Sequence, residues 1–328
     1  MPNIWQMTSY PEGLPRAGDF RLVETESVAL APGQIRVRNT WLSVDPAVRW
    51  RMERATSIVP LQPGDFIEGQ AIGEVIETAS DSFARGDLVS HGQGWRDVAV
   101  VEQAHARRLP DIDASPAAFL GQLGIPGLTA YVGLTDIAAV TAGDVVLISG
   151  AAGAVGLAAV QIAKLQGATV IGSAGGAEKC AILRDFGADA TIDYKSGTSI
   201  SRQLDAVAPE GIDVYFDNVG GAHLDAALGS ARPSARFAIC GMISEYSATS
   251  PTAMTNLRRI ISSNISIRGF RVGNHLHRLP DFHASARTWT TAGRFKTLET
   301  IRHGLEQVPS AFVEMLQGGN QGKMVVRL

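Results

Sequence analysis

Cysteine is almost missing: Cys180 and Cys240 are the only two in 328 residues. Neither belongs to a C-x-x-C pair, and two distant thiols cannot build a Cys₄ zinc site or staple a chain of this length. Reduced thiols and a cytoplasmic location are the expectation. An excess of positive charge is lacking too. Lys and Arg number 29 against 32 Asp and Glu, for a net charge of −3, and the basic residues are scattered. Nucleic acid is therefore not expected as a partner. The opening MPNIWQMTSYPEG has neither the basic stretch nor the apolar run of a secretory signal. No low-complexity segment or internal repeat is visible.

Apolar residues are plentiful, at 45% against 19% charged, enough for substantial cores and more than one domain. No charge interrupts the chain from Val145 to Ala163. A membrane helix needs about 20 strongly apolar residues. This run is diluted by Ser149, Gly150, Gly153, Gly156 and Gln161. Its first part, VVLIS, is rich in β-branched residues. Its second, AVGLAAVQIAKLQG, sets Val155, Ala158, Ala159 and Ile162 at helical spacing and ends on Gly167, a C-cap residue. Strand, glycine turn and helix is the reading, and no membrane partner is expected.

Residues 1 to about 120 are punctuated by PEGLPRAGD, APGQIRVR, LQPGDF and FARGDLVS, with short alternating segments such as 34–38 and 71–77 between. Short strands with frequent turn signals predict a small β-rich barrel. From about 121 the texture becomes alternating strand and helix. Strands are expected at 145–149, 169–173, 190–193, 214–217, 236–240 and 266–270. Helices are expected at 154–166, 177–186, 198–208, 221–229 and 254–263. Together they predict an α/β fold with a doubly wound parallel sheet of Rossmann type. The closing GGNQGKMVVRL reads as a turn and a strand returning to the first domain.

The turn Ala151-x-Gly153-x-x-Gly156 follows a strand and opens a helix, the context in which such glycines hold a dinucleotide. Gly153 would let backbone approach a pyrophosphate, and Gly156 would let helix and strand pack closely. Ala151 stands where the usual fingerprint has its first glycine. The second strand runs out as IGSAGG, without the acid that would bind a ribose 2′-hydroxyl. Lys179 follows beside Glu178, and Tyr194 lies past the third strand. A lysine there meets a 2′-phosphate as a point charge, so NADPH is the expected cofactor. The bland alternative is a solvated helix lysine.

LGQLGIPGLTAY, GAAGAVG, GSAGGAEK, FDNVGG, CGMISEY and GGNQGK occur in this order, preceded by NTWLSVDPAVRWRM. Over nearly the whole chain they resemble the zinc-independent medium-chain dehydrogenases/reductases, in the branch of prostaglandin reductases and NADPH-dependent alkenal (curcumin-type) double-bond reductases. The resemblance implies a GroES-like β-barrel domain from 1–120 plus 296–328, which would bind substrate, and a Rossmann NADPH-binding domain over 121–295. It implies a homodimer, and metal-free reduction of a double bond conjugated to a carbonyl. The pyrophosphate turn would be Gly153, Ala154, Val155 and Gly156, with Lys179 and Tyr194 on the 2′-phosphate. Asn218, Cys240, Gly241, Met242, Ile243, Ser244, Tyr246, Phe270, Arg271, Val272 and Asn320 would line the rest of the cofactor path. Three departures touch the substrate side: where members often have SVDPYMRGRM, this chain has Ala47 for Tyr and Trp50 for Gly, and Ser262-Ser263 stand where some carry a tyrosine. Ala47 and Trp50 are therefore the expected substrate-pocket positions.

Hydride addition to the β-carbon of an enone or enal moves charge onto its carbonyl oxygen, which needs a hydrogen-bond donor. Tyr246 is the candidate catalytic residue, with packing at a strand end as its structural alternative. NHLHRLPDFH brings His275, His277 and His283 together in sequence, but no closing fourth ligand is evident, and solvated loop histidines are the expectation. Asp45-Pro46 serves a turn or a pocket wall, and Trp95 is by default a core residue. Two rival functions stand: an NADPH:quinone oxidoreductase, and a non-catalytic NADPH-binding sensor whose pocket the Trp50 indole blocks.

Overall fold

The computed structural model describes residues 1–54, 59–246, 250 and 252–328. Along the chain come β1 (Asn3–Met7), β2 (Phe20–Glu24), β3 (Gln34–Ser43) and α1 (Ala47–Arg51). Next are β4 (Ala71–Thr78), β5 (Leu88–His91), β6 (Val98–Glu102), β7 (Arg107–Arg108) and α2 (Ile125–Val132). An alternating run follows: β8 (Val145–Ile148), α3 (Ala154–Leu165), β9 (Thr169–Ala174), α4 (Ala177–Asp185), β10 (Ala190–Asp193) and α5 (Ile200–Val207). It continues with β11 (Ile212–Asp217), α6 (Gly221–Gly229), β12 (Ala231–Ile239), α7 (Arg259–Ser262) and β13 (Ser266–Gly269). Last come α8 (Leu279–Thr291), β14 (Glu299–His303), α9 (Val308–Leu316) and β15 (Lys323–Arg327). These residues form two compact units, Met1–Leu120 with Glu299–Leu328, and Gly121–Leu298.

In the first unit a sheet runs β14-β15-β3-β4-β5-β7, with β6 also on β3. β3 serves two cores. Ile35 and Val37 pack with Val75, Val89, Ala99 and Val101. The β3–β4 register then shifts between Asn39 and Trp41. Beyond it, Leu42 and Val44 enter a second core with Met52, Trp95, Phe312 and Met324. A bulge re-aims the side chains that follow it, which is how one strand changes allegiance. Trp95 is wholly buried, its ring 5.5 Å from Phe312 and 5.8 Å from Phe20 between centroids, and so is a core residue.

The second unit has one parallel sheet in the order β10-β9-β8-β11-β12-β13. In chain order this is 3-2-1-4-5-6, a doubly wound Rossmann sheet whose direction of winding reverses between β8 and β11. The charge-free run is explained by burial: Val146 to Ile148 of β8 and Gly156 to Ala163 of α3 are all enclosed. Among the described residues no helix is long and apolar enough to cross a membrane.

Two expectations change. The helix expected over 254–263 is only Arg259–Ser262. Asp225 of α6 takes the backbone N–H of Thr255 (2.7 Å) and Asn256 (2.8 Å), groups that would otherwise stand at the head of that helix. His275, His277 and His283 are not on a loop either. The first two lie in 3₁₀ turns over Val272–Arg278, and His283 is on α8.

Candidate active site

At the carboxyl end of β8 the chain turns through 149–152 and Gly153 caps α3 in an extended conformation. The left-handed residue of this turn is Gly150, φ +56°, one place before the position where the sequence pattern puts its first glycine. Ala151 is thus no departure in geometry, because the residue that needs glycine precedes it. A Cβ on Gly156 would fall 2.4 Å from both Ala151 Cα and Gly150 O, so α3 can approach β8 only with glycine there. Ala154, Val155 and Gly156 form the first turn of α3, whose N–H groups and positive dipole end suit an anion.

Asp217, wholly buried at the end of β11, ties this turn to the next. Its Oδ1 accepts from Ser149 Oγ (2.8 Å), the Tyr215 hydroxyl (2.7 Å), Val219 N (2.9 Å) and Gly220 N (2.8 Å). Burial first, then the Asp217 charge, push the Tyr215 phenol far up, so it stays a neutral donor. Asn218 N donates to Ser149 Oγ at 2.9 Å and Asn218 Nδ2 to Ser149 O at 2.7 Å. The expected cofactor segment after β12 lies along this join. Cys240 N and Gly241 N donate to Asp217 O at 3.0 and 3.2 Å, and Ile243 N to Asn218 O at 3.2 Å. Cys240 Sγ donates to Asn218 Oδ1 at 3.0 Å, with the thiol pushed up by burial and by the Asp217 charge. Ser244 Oγ donates to Val219 O at 2.6 Å. Met242 N donates to the Tyr246 hydroxyl oxygen at 3.4 Å, which folds the phenol back over its own loop. Phe270 N reaches Ile239 O at 3.1 Å, bringing 270–272 to the same end of β12; Arg271 is exposed and Val272 half-buried.

At the tip of β9, Gly175 and Gly176 lead into α4; the strand ends without an acid of its own, and the Asp193 carboxylate at the end of β10 accepts from Gly176 N at 2.8 Å. A Cβ on Gly175 would lie 2.7 Å from the Tyr194 hydroxyl, so phenol and turn are in close apposition. The Tyr194 ring meets His223 edge-on at 5.3 Å, and His223 Nε2 shares a hydrogen bond with Ser173 Oγ at 3.0 Å. Burial holds His223 below its ordinary pKa, against a smaller opposing effect of Asp217, so the ring is neutral at pH 7. Lys179 is half-buried on α4. Burial first, then the like charge of Lys195, lower its pKa, and Glu178 opposes them.

The second unit therefore gathers Gly153, Ala154, Val155, Gly156, Lys179, Tyr194, Asn218, 240–244, Tyr246 and 270–272 at the carboxyl ends of its parallel strands. The three remaining expected residues belong to the first unit. Ala47 and Trp50 are on α1, exposed and half-buried, and Asn320 donates to Gly322 O at 2.7 Å in the turn before β15. Sequence reading missed Gly150, Ser149 and Asp217. The serine follows β8 beside Gly150 and the acid ends β11 shortly before Gly220, a signal available only once those strands are paired. His283 Nε2 lies 3.1 Å from Leu123 O, and the His275 and His277 rings are 6.1 Å apart. Among the described residues no group of three His, Cys, Asp or Glu side chains is arranged to hold a metal ion.

Family profiles described as "N-terminal domain of oxidoreductase" and "Zinc-binding dehydrogenase" match residues 3–109 and 154–288. The NADPH-dependent curcumin reductase of Escherichia coli is 35% identical over 332 residues, covering 99% of this chain and 96% of that protein. Mouse prostaglandin reductase 1 is 35% identical over 328 residues, covering 98% of each. Among solved structures, CurA from Vibrio vulnificus superposes with a TM-score of 0.94 at 35% identity, covering 100% of this chain and 98% of that one. A structure of CurA in complex with NADPH gives 0.92 at 34% identity, covering 99% and 98%. With full-length likeness in sequence and fold, and with the glycine turn set at the switch point of a Rossmann sheet, the chain belongs to the medium-chain dehydrogenase/reductase family, in the branch of the prostaglandin, alkenal and curcumin reductases.

Proposed function

We propose that this protein reduces the carbon–carbon double bond of α,β-unsaturated ketones and aldehydes with NADPH. The observation that carries the reading is the β9 tip. It presents the Tyr194 hydroxyl beside Gly175 and Lys179 on the helix that follows, where a cofactor lacking the 2′-phosphate would call for an acid at the strand's own tip. The residues fit the dinucleotide in two further respects. Gly156 permits the close packing of helix on strand, and the α3 N-terminus offers backbone N–H groups to a pyrophosphate. The likeness to reductases named for curcumin, 2-alkenal and prostaglandin substrates supports the substrate class.

When bound, NADPH supplies the hydride that adds to the β-carbon of the alkene. The chain's own part is to bind, orient and stabilise. Gly153, Ala154, Val155 and Gly156 hold the pyrophosphate, and Lys179 and Tyr194 hold the 2′-phosphate. Asn218 fixes the 240–244 segment that lines the path, with 270–272 completing it. Tyr246 donates a hydrogen bond to the carbonyl oxygen as negative charge develops there, and its Met242 N–H contact aims the hydroxyl. The α-carbon then takes its proton through solvent. Ala47 and Trp50 shape the substrate pocket. No step needs a metal, a reading supported by a chain whose only cysteines are Cys180 and Cys240.

Homodimerisation is part of the proposal. The edge strand β13, paired among the described residues with β12 alone, is exposed at every residue; it carries Ile267 (39% exposed), and Ile261 (83%) lies on α7 just before it, so an open ladder has apolar neighbours. Two free thiols support a reducing, cytoplasmic setting. An NADPH-oxidation screen over enals, enones and simple quinones, with product identification, tests the function. Saturated ketones or aldehydes are expected. Quinone turnover without enone turnover would replace the proposal with a quinone reductase, and tight NADPH binding with no turnover would replace it with a sensor.

A further inference from the structure

Lys179 is one cation, and a lysine ammonium is a compact point charge that cannot by itself meet the three oxygens of a phosphate monoester. The fold supplies a second. Asp193 Oδ1 accepts from Gly176 N at 2.8 Å and from Lys195 N at 2.9 Å. One carboxylate oxygen thus clamps the turn that leads to Lys179 onto the segment that carries Lys195. The clamp brings side chains together as well as backbone. From the position of a Cβ on Gly175, the Tyr194 hydroxyl is 2.7 Å away and Lys195 Cε 3.0 Å. Gly176 next to it has φ +97°, and a Cβ there would meet nothing within 4 Å, so the space above the turn is open.

Two exposed or half-exposed lysines normally swing apart, since like charges repel and their stems are flexible. Here the Lys195 charge acts directly on Lys179. Glu178 and Asp193 are the acids nearby, and Asp193 Oδ1 is already occupied by two backbone donors. Two cations that act on one another, one of them with a phenol hydroxyl at a glycine turn and the other on the helix that turn opens, match a dianionic monoester better than a hydroxyl.

We propose that Lys195 is a second cation for the ribose 2′-phosphate, acting with Lys179 across the Gly175–Gly176 turn and setting the preference for NADPH over NADH. This rests on the NADPH reading above and adds a residue to it. Lys195 is exposed, so its replacement leaves the core intact.

The test is calorimetric titration of wild type, Lys195→Met and Lys195→Arg with 2′,5′-ADP and with 5′-AMP, which differ only in the 2′-phosphate. Loss of one charge-assisted contact is expected to weaken 2′,5′-ADP about tenfold in Lys195→Met while 5′-AMP stays within about twofold. Lys195→Arg should restore most of the discrimination. If wild type favours 2′,5′-ADP and Lys195→Met favours it equally, the role of Lys195 is overturned and the NADPH reading stands. If wild type binds the two probes alike, both are overturned.

Discussion

Ser149 Oγ, one residue past β8, donates at 2.8 Å to the buried Oδ1 of Asp217, the last residue of β11, where the sheet reverses its winding. Three further donors converge on the same oxygen. Asp217→Ala strands all four at once. Losing a buried polar hub of this kind costs about 3–5 kcal/mol. Urea unfolding should show that loss, and Ser149→Ala alone should cost about 1–2 kcal/mol, because the other donors keep their partner.

Lys179→Ala tests cofactor choice by kinetics. The KM for NADPH should rise about tenfold, one charged contact, while that for NADH changes less than about twofold. Steady-state assays with both cofactors decide it, and an unchanged NADPH/NADH ratio would remove Lys179 from the 2′-phosphate site.

For Tyr246→Phe the expected outcome is a fall in kcat of about 10² with NADPH affinity held within about twofold, the pattern of a donor that acts mainly as charge develops. Turnover at the wild-type rate would show the phenol to be a packing residue.

A pH effect on stability follows from His91 in the first unit. Burial, with a smaller effect of Arg96, pushes its pKa from 6.5 down to about 4, and its Nδ1 accepts from Gln93 N at 3.1 Å. The unfolded chain takes up this proton near pH 6.5 and the folded chain only near pH 4. Stability from the neutral ring is therefore complete above pH 6.5 and is lost as pH falls towards 4, by an amount on the order of 3 kcal/mol. Urea midpoints measured from pH 7.5 to about 4.5 should fall less steeply in His91→Gln than in wild type.

What the chain announced about itself was local and periodic. The uncharged run became β8 and α3 because a buried strand and a buried helix joined by glycines leave no place for charge. The expected 190–193 and 221–229 agree with β10 and α6 to the residue. What stayed hidden was set by distant partners. The helix before β13 begins only at Arg259, and the backbone of Thr255 and Asn256 is held instead by Asp225 of α6, a contact between elements that no local propensity carries. α8 escaped notice because its polar and apolar residues are closely mixed and only Phe282 and Ala286 are buried. At the site, the glycine turn was legible, but its left-handed residue, Gly150, lies one place before the Ala151 that stands at the fingerprint's first position. The Asp217 hub, and the clamp Asp193 sets between Gly176 and Lys195, exist only after the strands pair.

The strand β15 lies between β14 and β3 in the first unit's sheet and contacts β3 through Val325, Val326 and Arg327. On the ribosome, residues 34–43 emerge early and wait for partners made some 280 positions later, while the intervening unit already has all of its own strands. Vectorial synthesis thus imposes an order of maturation: the unit of residues 121–298 can consolidate first, and the first unit holds an open sheet edge until β15 is made. A stalled or prematurely terminated chain should be a chaperone client by way of that edge.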